Sequence, residues 1–307
     1  MLKVGIIGLG KIGSQFDEDP LRQKPATHIG TFTKYSNTKV IAICDIDEDR
    51  LLKVAKKYRI EKSYSDYKVM FAENQFDILC VATPTETHSK ILFAALHKPP
   101  RLIFCEKPIS ESISSAKKMI EACKEAKTIL AINHTRRWDD KFRAIAQRLN
   151  RYLGNISSAV AVCSEDPFNV GIHAFDLMNW LAPKAQHHYV QIQSPFLVFT
   201  LELYGEGGKL GIYDNGRVFA IWHANASKQY LNYLELESFY QGSEIFIPNP
   251  KRTPMYNAAS NLYMCLTSEE QPYCTGEMGL AALESYFKWK KRKVINKLTI
   301  DSIERLL

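Results

Sequence analysis

The sequence predicts an α/β chain: a doubly wound parallel sheet at the N-terminus, followed by an α+β domain with a largely antiparallel open sheet. Up to about residue 130, short apolar runs alternate with helical patterns, as βαβ units and a parallel sheet require. Beyond about residue 135, five extended runs follow one another. Turn signals such as Gly205-Glu206-Gly207-Gly208 and Asp214-Asn215-Gly216 separate several of them, as in an antiparallel sheet. The boundary is expected near 125–135, giving domains over residues 1–130 and 131–307. Internal repeats and low-complexity segments are absent from the sequence.

Lys3–Ile7 reads as a buried strand running into a glycine turn, and Val40–Cys44 as the next strand. Asp49–Tyr58 has helical spacing, with Leu51, Leu52, Ala55 and Tyr58 on one face. Ile78–Ala82 is a strand ending at Thr83-Pro84, and His88–Leu96 a helix. Leu102–Cys105 is a strand ending at Glu106-Lys107-Pro108. Ser112–Ala126 is a helix and Thr128–Ile132 a strand. In such sheets the crevice opens at the carboxyl ends of the strands, so functional residues are expected there. The second domain reads as a helix at Asp139–Leu149, a strand at Ile156–Cys163 and a helix at Ile172–Leu181. Strands are then expected at Tyr189–Gln193, Phe196–Tyr204, Lys209–Tyr213, Arg217–His223 and Leu231–Tyr240, before a closing helix at Glu277–Lys291.

The 307 residues suit two ordinary domains, and 46% hydrophobic with 24% charged residues is a globular balance. A net charge of +7 favours anionic ligands. With no Lys/Arg run of the kind that marks a nucleic-acid arm and no recognisable module, a nucleic-acid partner is not expected. The seven cysteines are odd in number and form no C-x-x-C pair, so neither a disulfide framework nor a zinc site is expected; they read as small core residues. The first residues already form a strand, with no signal-peptide pattern before it. No run of 18 apolar residues occurs, so no membrane association is expected and a reducing cytoplasm is the default compartment.

Gly8-Leu9-Gly10-Lys11-Ile12-Gly13 is G-x-G-x-x-G, placed directly after a strand and expected to open a helix. Gly8 permits the tight turn, Gly10 lets a pyrophosphate approach the backbone, and Gly13 lets helix and strand pack closely. Free N–H groups at the helix start would face the phosphates. This is the fingerprint of a Rossmann domain. The second strand ends at Asp45, where a carboxylate can bind the adenosine ribose hydroxyls and repel a 2′-phosphate; Asp47, Glu48 and Asp49 strengthen the repulsion, and position 46 is not Arg. NAD is therefore expected in preference to NADP. The gap from Gly13 to Asp45 is about ten residues longer than the fingerprint expects. The extra segment, Phe16 to Pro25, carries two prolines and three acids and is expected to loop out near the nicotinamide end. Arg22 and Lys24 are candidates to touch substrate from it, or to lie in solvent.

Several ordered motifs together resemble the glucose–fructose oxidoreductase / inositol dehydrogenase / MocA (Gfo/Idh/MocA) family. They are the glycine fingerprint, Ala82-Thr83-Pro84 with His88, Glu106-Lys107-Pro108, Arg136-Arg137-Trp138, Gly171-Ile172-His173 with Asp176, and the Gly279–Glu284 helix. The resemblance implies that Lys107 lies beside the nicotinamide and the reacting carbon, where an ammonium can stabilise alkoxide charge and relay a proton. It implies that Glu106 orients Lys107 or lines the nicotinamide pocket, that Pro108 follows a cis peptide, and that His173 sits in the substrate pocket. Gly8, Gly10, Lys11, Ile12, Gly13, Asp45, Thr83, Pro84, His88, Glu106 and Lys107 are the expected cofactor residues. Arg137 and Trp138 line the substrate pocket or form the hinge to the second domain. Asn169 stands where the family usually has an aspartate, so an Asp–His acid–base pair is absent; Lys107 and His173 suffice, or Asp166 or Asp176 helps. The implied activity is hydride transfer between NAD and a secondary alcohol or ketone of a sugar, cyclic polyol or nucleotide-sugar, by a homodimer or homotetramer. A non-catalytic NAD-sensing regulator on the same fold is the alternative.

Overall fold

The computed structural model describes residues 1–164, 166–238 and 252–304. The chain divides into two compact units, one of residues 1–142 with 249–280, the other of residues 143–248 with 281–307.

In the first unit the elements are β1 (Leu2–Ile7), α1 (His28–Lys34), β2 (Thr38–Cys44), α2 (Glu48–Tyr58), β3 (Lys62–Tyr64), α3 (Tyr67–Glu73), β4 (Ile78–Val81), α4 (Thr85–Ala95), β5 (Leu102–Cys105), α5 (Ile113–Glu125) and β6 (Ile129–Ile132). The six strands form one sheet in the order β3-β2-β1-β4-β5-β6, and every pairing is parallel. The order reverses between β1 and β4, which places the topological switch point beside the glycine turn. β4 and β5 are buried along their whole length, because helices cover both faces of a parallel sheet. Asp47 caps α2 by accepting from Arg50 N, and Ser112 caps α5 by accepting from Ser115 N.

In the second unit α6 (Asp140–Leu153, beginning in the first unit), β7 (Ile156–Cys163), α7 (Ile172–Leu181), β8 (Gln186–Gln191), β9 (Phe199–Gly205), β10 (Gly208–Tyr213), β11 (Val218–Ala226) and β12 (Leu234–Ser238) precede α8 (Pro254–Thr267) and α9 (Gly276–Glu304). Its sheet runs β12-β11-β10-β9-β7-β8; β7 and β8 are parallel and all other pairs antiparallel. Ala159, Ala161 and Cys163 of β7 are buried and alternate with half-buried Val160 and Val162, the period of a sheet covered on one face. Phe175 of α7 stacks on Tyr189 of β8 (4.7 Å), whose carbonyl accepts from Trp289 Nε1 of α9 (3.0 Å).

The elements expected from the sequence are present, with shifted ends. The last expected strand reaches Tyr240, and residues 239–240 lie outside the described residues. Four elements were not anticipated: α1, β3, α3 and α8. α8 belongs to the first unit, where Asn261 accepts from Trp138 Nε1 (3.2 Å).

Candidate cofactor and active site

The three glycines of the turn after β1 meet different constraints. Gly8 has φ of 89°, and a Cβ there would lie 2.4 Å from the Ala82 carbonyl oxygen. A Cβ on Gly13 would lie 2.1 Å from the Gly8 carbonyl oxygen. A Cβ on Gly10 would meet nothing within 4 Å. The fold therefore needs glycine at 8 and 13, and the cradle at Gly10 is open for an approaching group. These residues fit a dinucleotide pyrophosphate. Lys11 beside it is exposed and Ile12 half-buried.

The expectation that this turn opens a helix directly is corrected: only one turn forms before the chain leaves it. Ser14 N and Gln15 N both donate to Gly10 O (2.9 and 3.2 Å), closing a single turn, and a short 3₁₀ turn follows at Gln15–Asp17. The chain then departs and returns at α1, where His28 N donates to Ile12 O (3.0 Å) and Ile29 N to Gly13 O (3.1 Å). The helix resumes on the carbonyls that its own first turn left open. The excursion is tied down at several points. Asp17 accepts from Ala26 N (2.6 Å) and from the Thr27 hydroxyl. Pro25 O accepts from Thr253 Oγ1 (2.7 Å), and Glu18 pairs with Lys53 and Lys57 of α2. Arg22 and Lys24 are exposed; Arg22 pairs with Asp19 (3.1 Å) and lies over the Phe16 ring.

Asp45 follows β2 and is almost fully buried. Its Oδ2 accepts from Leu9 N in the glycine turn (2.6 Å) and its Oδ1 from Asp47 N (2.9 Å). Arg50 Nη1 reaches both oxygens (3.1 and 3.3 Å), while its Nη2 pairs with Asp47. Arg50 was missed by a reading confined to position 46. Its place one turn into α2, facing back to the Asp47 cap, was the available signal.

At the ends of β4 and β5, Thr83 is half-buried and Pro84 exposed. His88, on the first turns of α4, is 1% exposed. Its Nδ1 faces Pro108 O (3.0 Å) and its Nε2 faces Thr83 O (2.9 Å). Both ring nitrogens thus face carbonyl oxygens of the chain itself. Lys107 is half-buried, and the Lys107–Pro108 peptide is cis.

Glu106 is buried, and its Oε1 takes two donors: Asn133 Nδ2 at 2.6 Å and His28 Nε2 at 2.8 Å. Its Oε2 makes no hydrogen bond among the described residues and is not among the sealed unpaired atoms. Burial pushes this carboxyl upward, but the His28 and Asn133 hydrogen bonds and the Lys107 charge outweigh it and hold it below its ordinary value. His28 packs on the Phe104 ring at 5.1 Å. His28 and Asn133 were missed; nothing local in the sequence marks either as a partner of Glu106.

Trp138 is corrected from a pocket residue to a core residue. Its ring is 0% exposed and packs edge-on to Phe104 at 5.5 Å. Arg137 is buried too, with Nη1 3.2 Å from Met278 Sδ. In the second unit, Asn169 is exposed and His173, on the first turn of α7, is half-buried. Asp176 is buried on the same helix. The Asp166 carboxylate accepts from Phe168 N (3.2 Å) and Asn169 N (3.1 Å), a turn-capping role. Among the described residues no cluster of His, Cys, Asp and Glu could hold a metal, and no helix is long and apolar enough to cross a membrane.

The family model described as "Oxidoreductase family, NAD-binding Rossmann fold", GFO_IDH_MocA, matches residues 2–134. The myo-inositol 2-dehydrogenase of Thermotoga maritima is 27% identical over 195 residues, which are 59% of this chain and 54% of that protein. The D-apiose dehydrogenase of Rhizobium rhizogenes is 30% identical over 161 residues, 46% of each chain. The chain thus spans about half the length of these curated relatives. Among solved structures, the WlbA dehydrogenase from Bordetella pertussis, in complex with NADH and UDP-GlcNAcA, superposes with a TM-score of 0.69 at 16% identity, covering 92% of this chain and 93% of that one. An oxidoreductase domain protein from Kribbella flavida reaches 0.72 at 13% identity, covering 93% and 95%. These two likenesses show the fold.

Proposed function

Residues 2–134 belong to the Gfo/Idh/MocA oxidoreductase family, and from that premise we propose that the chain is an NAD-dependent dehydrogenase or reductase acting on a secondary alcohol or ketone of a sugar, cyclic polyol or nucleotide-sugar. The observation that carries the reading is the glycine turn: positions 8 and 13 are closed by the fold, while position 10 is open and in no contact that needs glycine. When bound, the nicotinamide supplies or accepts the hydride. Gly8, Gly10, Lys11, Ile12 and Gly13 would seat the pyrophosphate. Thr83 and Pro84, at the next strand end, would border the nicotinamide side.

The carboxylate of Asp45, tied to Leu9 N, would receive the adenosine ribose. NAD over NADP is supported by the committed charge of Arg50, which is spent on Asp45 and Asp47, leaving Glu48 and Asp49 at the start of α2 with no ion pair among the described residues. Lys107 would donate a hydrogen bond to the substrate oxygen and stabilise the alkoxide as it develops. Glu106, held as an anion by His28 and Asn133, would keep the Lys107 ammonium oriented. His173 is a candidate for proton exchange, and Asn169 and Arg137 are candidate substrate contacts. The similarity to a myo-inositol dehydrogenase and a D-apiose dehydrogenase supports polyols and sugars as the substrate class. Self-association into a dimer or tetramer is part of the proposal and is read by light scattering.

The test is NADH formation from NAD with myo-inositol, D-apiose and nucleotide-sugars, repeated with Lys107→Ala. Turnover by the wild type that falls at least ~100-fold in the variant, with NADH binding retained, is expected. Tight NADH binding without turnover on any probe, and no effect of the lysine change, would instead support a sensor.

A further inference from the structure

The turn that carries Lys107 is pinned on both sides by side chains from elsewhere in the first unit. On one side Glu106 is held by His28 and Asn133. On the other, Pro108 faces the ring of His88. We propose that His88 is a positioning residue for Lys107, which keeps its proton on Nδ1 and donates it to the carbonyl oxygen of Pro108. The proposal rests on the reading of Lys107 as the group that meets the substrate oxygen.

The argument starts from a shortage of protons. Carbonyl oxygens only accept, and two of them lie within 3.0 Å of the two ring nitrogens. A neutral imidazole has one N–H to give. Burial is the largest influence on this ring and lowers its pKa, favouring the neutral form, although both carbonyls and the Glu106 carboxylate push the other way. The two acceptors differ in what else can satisfy them. Pro108 is buried and Thr83 is half-exposed. Water can serve the Thr83 carbonyl, whereas a buried carbonyl without a donor carries the full desolvation penalty. The proton therefore belongs on Nδ1. His88 is also well placed to act as a strut, because α4 begins three residues earlier and fixes its backbone. A bond from that helix to Pro108 fixes the residue that follows Lys107, and the lysine backbone is held between two anchored neighbours.

Three measurements on the full chain test this. In nitrogen-15 histidine NMR at neutral pH, His88 is expected to be protonated on Nδ1; a neutral ring protonated on Nε2 overturns the proposal. Two variants then separate the contacts, since the Asn amide nitrogen falls near the Nδ1 position and the Gln amide nitrogen near Nε2. Crystal structures are expected to keep Lys107 in place in His88→Asn and to show it displaced by about 1 Å in His88→Gln; such a misplacement costs on the order of 100-fold in rate. With NAD and myo-inositol as the probe, kcat in the Gln variant should be at least ~10-fold below that in the Asn variant, with the NADH dissociation constants alike. Lysine positions and rates that are the same in both variants overturn the proposal. Absence of myo-inositol turnover in the wild type would count against the proposed activity, while the NMR tautomer and the lysine position still decide the role of His88.

Discussion

Replacing Gly10 and Gly13 by alanine, one at a time, should separate what the glycine turn does for the fold from what it does for a ligand. At Gly13 a methyl would sit 2.1 Å from Gly8 O, 2.8 Å from Leu9 Cα and 2.9 Å from Gly8 C. All three are backbone atoms, so no side chain can swing aside and the turn itself must move. Overpacking of this kind costs about 1–3 kcal/mol. For a folding unit of this size each kcal/mol lowers Tm by about 2–4 °C, so Gly13→Ala should melt several degrees below wild type. At Gly10 the same methyl meets no atom within 4 Å, and the backbone is outside the left-handed region. Stability should then stay within about 0.5 kcal/mol of wild type, or rise by about 0.4–1 kcal/mol as the unfolded chain loses freedom. Affinity for NADH should nevertheless fall. Loss of one charge-assisted hydrogen bond between the turn and a phosphate is worth about 1.5–3 kcal/mol, which is roughly 10- to 100-fold. Thermal melts and NADH fluorescence titrations read the two effects separately. A Gly10→Ala protein that melts as low as Gly13→Ala, or that binds NADH like the wild type, would refute the assignment of position 10 to the pyrophosphate.

Two further outcomes follow from buried charge. Glu106 ionises at a lower pH folded than its unfolded value of 4.5, so its contribution to stability is complete above that value and drains away as the pH falls through the lower folded one. Glu106→Gln should flatten the fall in Tm as the pH drops below 4.5; melting curves whose acid limbs run parallel in the two proteins would contradict this. Asp45→Ala removes a carboxylate and releases Arg50 from it. The ratio of NADPH to NADH affinity should rise at least ~10-fold, since an arginine–phosphate hydrogen bond is worth about 1.5–3 kcal/mol; an unchanged ratio in paired titrations would remove Asp45 and Arg50 from cofactor choice.

What was legible in the sequence is what depends on neighbours along the chain. β4 and β5 stand out as unbroken apolar runs because both their faces are covered; the acid after β2 follows from where its strand stops, whereas the lysine after β5 is singled out by the family resemblance. Elements whose helical pattern was interrupted were hidden. α1 is only seven residues long and is separated from its own first turn by residues 14–27. α8 carried a usable mark, the capping Thr253 with Pro254 at its first position, but it lies beyond a run of antiparallel strands and returns to the first unit. Within the site, the partners of Glu106 are 78 and 27 residues away from it, a separation that no spacing rule reaches. Trp138 illustrates the opposite error. The resemblance offers a pocket or a hinge for it, yet the ring is fully buried and packs edge-on to Phe104.

The detour between Ser14 and Thr27 leaves and rejoins one helical axis, with the two carbonyls of Ile12 and Gly13 bridging the seam to His28 and Ile29. Its two ends therefore sit within a hydrogen bond of each other. A segment spliced in at such a seam can change in length and composition while the glycine turn and the helix behind it keep their phase. The seam is thus a port through which new surface can be grafted beside the glycine turn without recutting the sheet that supports it.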